Sequence, residues 1–119
     1  MWIDQVTFFA LFLEGIPPPP ENLEAVNVQK GYFMLTWEQP KYGGHYQIDN
    51  FTIEQKKEAA DSFTILETLP YTQKRLVVNN LEPATKYTVQ LSSNNKYGRS
   101  NGILLTDTTL PGKLTYMLI

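Results

Sequence analysis

Leu81-Glu82-Pro83-Ala84-Thr85-Lys86-Tyr87-Thr88-Val89-Gln90-Leu91 decides the fold. Leu81 closes one strand, Pro83 turns the chain, and Tyr87, Val89 and Leu91 then alternate with Thr88 and Gln90 at the two-residue period of a half-buried strand. A tyrosine at this point buries its ring and turns its hydroxyl back to the backbone a few residues upstream, which is the tyrosine corner of β-sandwiches. The stretch therefore predicts a corner between two sheets followed by a core strand.

Outward from that corner, turn signals separate seven strand-like stretches, the spacing of an all-β antiparallel sandwich and unlike any βαβ alternation. They fall at 22–28, 32–38, 48–56, 63–68, 75–79, 86–94 and 103–109. Alternation places Phe33, Leu35 and Trp37 on one face of the second, Phe51 and Ile53 in the third, and Leu76 and Val78 in the fifth. With Leu81, Tyr87, Val89 and Leu91 these make the expected core. Met34, Thr36, Thr52, Glu54, Val77, Thr88 and Gln90 are expected to point outward. The glycines Gly31, Gly43, Gly44, Gly98 and Gly102 fall between strands and match no phosphate-binding pattern.

Residues 1–16 differ in character. Val6 to Leu13 is almost unbroken apolar sequence, shorter than the roughly 20 residues a membrane helix needs. Asp4 and Glu14 flank it where a signal peptide wants positive charge and small residues, so an extra strand or a remnant of a preceding segment competes with the signal reading. Pro17 to Pro20 marks a stiff linker, 21–111 the domain, and 112–119 a tail whose apolar part, Leu114 to Ile119, is expected to pair with the N-terminal run or with a second copy.

Composition sets the bounds on chemistry. The 119 residues are 42% hydrophobic, enough for one core, and the formal net charge of -2 offers no basic excess for nucleic acid or an acidic membrane. Without cysteine there is no disulfide, thiolate zinc site or cysteine nucleophile. His45 is the single histidine, in a glycine-rich loop, and reads as a solvated side chain. Lys56, Lys57, Glu58 and Asp61 read as a mixed-charge surface loop, and no aspartate-rich loop suggests calcium. No catalytic residue, cofactor or metal is expected. A stand-alone enzyme or small-molecule binder would need a deep pocket around His45, Tyr46 and Arg99. Asn50-Phe51-Thr52 is an N-glycan acceptor motif with Asn50 and Thr52 on the outward positions.

Taken in order, these residues resemble the fibronectin type III domain over about 20–111. The resemblance rests on Pro20 with Leu23, Trp37 with Pro40, Phe51-x-Ile53, Leu81-x-Pro83-x-Thr85-x-Tyr87, Asn94 with Tyr97-Gly98-x-Ser100, and Thr108. An immunoglobulin domain is similar but usually carries its tryptophan on the third strand against a disulfide. The chain has no Arg-Gly-Asp and no Trp-Ser-x-Trp-Ser, so integrin and cytokine recognition are not implied. The resemblance implies a seven-stranded sandwich whose loops 39–47, 70–74 and 95–102 gather at one end. They carry Tyr42, His45, Tyr46, Tyr71, Lys74, Tyr97 and Arg99, residue types suited to protein contacts. The expected function is a non-catalytic spacer and protein-binding module of an extracellular or cell-surface adhesion or receptor protein, with an intracellular module of a muscle-type filament protein as the alternative. Protein partners are expected, and membrane attachment only through a parent protein.

Overall fold

A computed structural model describes residues 15–41 and 47–112. Two antiparallel sheets face each other around the residues that alternation assigned to the core. Strands β1 (Glu21–Val26), β2 (Phe33–Glu38) and β5 (Arg75–Val78) form a three-stranded sheet in the order β1-β2-β5. The second sheet runs β4 (Thr64–Pro70), β3 (Asn50–Lys57), β6 (Lys86–Asn95), with β7 (Gly98–Arg99) and β8 (Ile103–Thr108) both pairing on β6.

Phe33, Leu35, Phe51, Ile53, Val89 and Leu91 are fully buried between the sheets, and Trp37, Leu69, Val78, Leu81 and Tyr87 nearly so. Trp37 meets Phe51 edge to face with ring centroids 6.1 Å apart, an arrangement favoured by the ring quadrupoles. Losing either ring would open a large cavity in a close-packed interior.

The sandwich has eight strands where the sequence predicted seven. The addition is β7, inside the stretch read as a 95–102 loop. β6 outruns β8 by several residues, so its end folds back on itself: Asn94 pairs with Arg99 and Asn95 with Gly98 around Lys96-Tyr97. Ser100 N–H then donates to Ser93 O at 2.8 Å before the chain crosses to β8. Gly98 has a φ of 146°, and Ile16 lies over it, with 3.2 Å between Ile16 and the place a Cβ would occupy.

Three smaller corrections follow from backbone geometry. β1 stops at Val26, not residue 28, because Asn27 takes a left-handed φ of 53°. A bulge near Asn22, itself at φ 55°, shifts the β1 register so that Leu23 and Ala25 face the core. Leu81 does not close a strand: β5 ends at Val78, and Leu81 follows the left-handed Asn80, held by its N–H to Gly31 O at 3.0 Å. The tyrosine corner itself forms as expected, with Glu82 N–H donating to the Tyr87 hydroxyl oxygen at 2.9 Å.

Candidate functional site

Strand register gathers one set of loops at a single end. Asn50 at the start of β3 pairs with Asn94 near the end of β6 and with Pro70 at the end of β4, and Thr36 near the end of β2 pairs with Arg75 at the start of β5. Residues 39–41 and 47–49, the 71–74 connection and the 96–97 turn therefore lie at the same end. Gln39 Nε2 donates to Tyr71 O at 2.8 Å and Trp37 N–H to Lys74 O at 3.0 Å, tying the first connection to the second. Asn95 ties the rest together: its Nδ2 donates to Gln47 O at 2.9 Å and to Gly15 O at 3.0 Å, while its Oδ1 accepts from Tyr97 N–H. The segment arriving at β1 is thus fastened to this same end, and Pro17 and Pro20 within it are buried.

Of the side chains singled out from the sequence, Tyr71 and Tyr97 are about half exposed here, at 49% and 46%. Lys96 Nζ sits 5.2 Å from the centre of the Tyr97 ring, a contact that orders both side chains without burying them. Lys74 is exposed. Tyr42, His45 and Tyr46 lie outside the described residues, as do the apolar runs Val6 to Leu13 and Leu114 to Ile119 expected to pair.

Arg99 is not a loop residue. It belongs to β7 and turns onto the outer face of the larger sheet, with Nε on Asn94 Oδ1 at 3.3 Å and Nη1 at 3.6 Å from Glu54 Oε1. Gln90 Nε2 reaches the same Glu54 oxygen at 3.0 Å, and Asn94 Nδ2 donates to Asn50 Oδ1 at 2.8 Å and Thr52 Oγ1 at 2.7 Å. The result is a polar network across β3, β6 and β7 that the sequence did not reveal.

That network accounts for the burial of Thr52. It occupies an outward position, as alternation requires, yet it is 4% exposed, and its cross-strand partner Ser92 is 1% exposed. Short side chains on the outer face are roofed by the longer Arg99, Asn94 and Glu54 side chains around them. Asn50, at the strand start, is half-buried with its side chain engaged.

The opposite end carries charge pairs instead. Lys57 bonds to Glu82, and Lys86 to Glu58 at 3.1 Å. The hydrogen bond to Glu82 raises the Lys57 ammonium above the ordinary lysine range; partial desolvation opposes it, and the charges of Glu82 and Tyr87 add to the rise. A depression of about 400 Å³ between Gln29, Lys30, Leu110, Pro111 and Gly112 also lies at this end. Among the described residues no three of His, Cys, Asp and Glu cluster as a metal would require, and no helix is long and apolar enough to cross a membrane.

An antiparallel sandwich with a tyrosine corner and interlinked loops at one end defines the class as an immunoglobulin-like β-sandwich module. The fibronectin type III domain family matches residues 18–103, and the chain belongs to it. Relatives include titin of Drosophila melanogaster, 29% identical over 82 residues, covering 69% of this chain and 0% of that protein. Fast-type myosin-binding protein C of Mus musculus is 22% identical over 108 residues, covering 91% of this chain and 10% of that protein. The chain thus spans a tenth or less of these relatives' length. Among solved structures it is similar to a set of titin domains, with a TM-score of 0.69 at 25% identity, covering 80% of this chain and 32% of that one. The fibronectin type III domain of human fibronectin type III domain containing protein 3 gives a TM-score of 0.69 at 21% identity, covering 82% and 90%.

Proposed function

We propose that the chain is a non-catalytic structural module of an intracellular muscle-type filament protein, one rigid sandwich within a longer series, making protein contacts through its surface. The observation that carries the spacer role is the placement of its two anchored ends. Gly15 to Pro20 is fastened beside Gln47 and Asn95 at the loop end. The chain leaves β8 at the opposite end, where Leu110 N–H donates to Gln29 O at 3.1 Å and Ala84 N–H to Leu110 O at 2.9 Å. A module that receives the chain at one pole and releases it at the other serves to set spacing between neighbours.

The sequence reading placed an extracellular or cell-surface adhesion or receptor module first. The relatives named above favour the muscle-type alternative instead, and a buried, hydrogen-bonded Thr52 lends the glycan motif no support. The test is the location of the full chain, tagged and expressed in striated muscle cells. A periodic striated pattern is the expected outcome. Passage into the secretory pathway with a glycosidase-sensitive mass at Asn50 would return the extracellular reading to first place.

A further inference from the structure

The outer face of the three-stranded sheet carries an ordered pattern that the described residues leave uncovered. Register sets Val26, Met34 and Val77 in one row across β1, β2 and β5, and Glu24, Thr36 and Arg75 in the adjacent outward row. The core-facing residues of these strands are Leu23, Ala25, Phe33, Leu35, Leu76 and Val78, so both rows point away from the sandwich. Val26 and Val77 are 38% and 41% exposed. Glu24 and Arg75 are exposed at opposite edges of the sheet, and neither has an ion-pair partner among the described residues.

We propose that this face is a self-association surface whose occupant is the same face of a second copy, related by a two-fold axis running along β2. That operation exchanges the β1 and β5 edges. Val26 then faces Val77 of the second copy, Met34 faces Met34, and Glu24 meets Arg75 while Arg75 meets Glu24. Every contact occurs twice, as an isologous interface demands. A two-fold axis across the strands midway between the rows would set the apolar row against the charged one, and one lying on the apolar row would leave Glu24 and Arg75 without partners, so only the axis along β2 engages both rows. Glu38, next along β2, does not oppose it: Asn22 Nδ2 holds Glu38 Oε2 at 3.1 Å toward β1, and the two-fold axis sends the two carboxylates to opposite sides.

The rows cover about 14 Å across the strands and about 14 Å along them, far below the roughly 800 Å² per partner of a standard interface. The contact is therefore weak and acts at high local concentration, with the crossed charges supplying orientation more than affinity.

Sedimentation velocity of the full chain at low salt, up to about 1 mM, tests this directly. Glu24→Arg and Arg75→Glu are exposed changes whose folding circular dichroism verifies. The wild-type chain is expected to associate with concentration, and each single swap to weaken association at least about tenfold. An equimolar mixture of the two swaps, which restores opposite charges at both sites, recovers it as a one-to-one pair. The proposal is overturned if the wild-type chain stays monomeric, if the mixture fails to recover, or if the swaps change nothing. The last result would assign association to another surface, such as the apolar runs at 6–13 and 114–119.

Discussion

Tyr87 and Thr109 hold the corner between the sheets with a handful of atoms. The Tyr87 hydroxyl satisfies the Glu82 N–H at 2.9 Å, and the buried Thr109 hydroxyl donates to Glu82 O at 2.5 Å while accepting from Thr85 N–H at 3.0 Å. Tyr87→Phe keeps the ring and strips the acceptor, so it is expected to cost about 1–3 kcal/mol, read as a lower denaturation midpoint with unchanged slope. Ala84, in the same corner, sits at a left-handed φ of 50° that costs a non-glycine residue roughly 1–2 kcal/mol. Ala84→Gly should raise stability by about 1 kcal/mol even after the added freedom of the unfolded chain is subtracted. Lys57 gives a pH signature. Its folded-state pKa is raised, so its contribution is intact below the unfolded value and disappears as pH climbs through the raised one. Thermal melts should show a shallow decline above about pH 10 that Lys57→Met removes; an identical slope in both proteins would contradict the pairing. The tyrosine was legible because its spacing from Leu81 and Pro83 is local. Thr109 was not, because its partners lie 24 and 27 residues back in the chain.

At the scale of elements, alternation located β2, β3 and β6 because each sets one face against the core, whereas β4 buries Leu69 alone, and it failed where pairing depends on backbone alone. β7 is two residues long and has no period to read. The β1 bulge depends on a left-handed Asn22, a conformation that asparagine tolerates but does not announce. Alternation gives the face of a residue and not its exposure, and Thr52 and Ser92 separate the two: position sets the face, while the length of the neighbouring side chains sets the exposure. Gly102 shows how tightly that outer face is packed. A Cβ there would stand 2.4 Å from Gln90 Cγ, and Gln90 is held in place by Glu54. Gly102→Ala is therefore expected to push Gln90 off Glu54 and cost about 1–3 kcal/mol, with new chemical shifts along β3 and β6. A variant as stable as the parent would show that Gln90 has room to move.

For the whole molecule, the family and the sandwich were legible from ordered motifs, whereas the interlinked loop end was not. Asn95 reaches Gly15, 80 residues away, and nothing in either neighbourhood advertises the contact. The arrangement has a mechanical consequence. β1 and β8 run in the same direction on opposite sheets, β1 beginning at the loop end and β8 finishing at the other. Tension between the two poles pulls β1 along β2 and β8 along β6, so each ladder of hydrogen bonds is strained together in shear. Before β1 is reached, the Asn95–Gly15 bond and the buried Pro17 and Pro20 must release.

Single-molecule stretching between residues 15 and 112 tests this account most directly. It should give one cooperative event in which both sheets come apart together, and Asn95→Ala should lengthen the chain slightly before that event without lowering its force. Gradual extension at low force, with strands leaving one after another, would contradict a rigid spacer anchored at both poles.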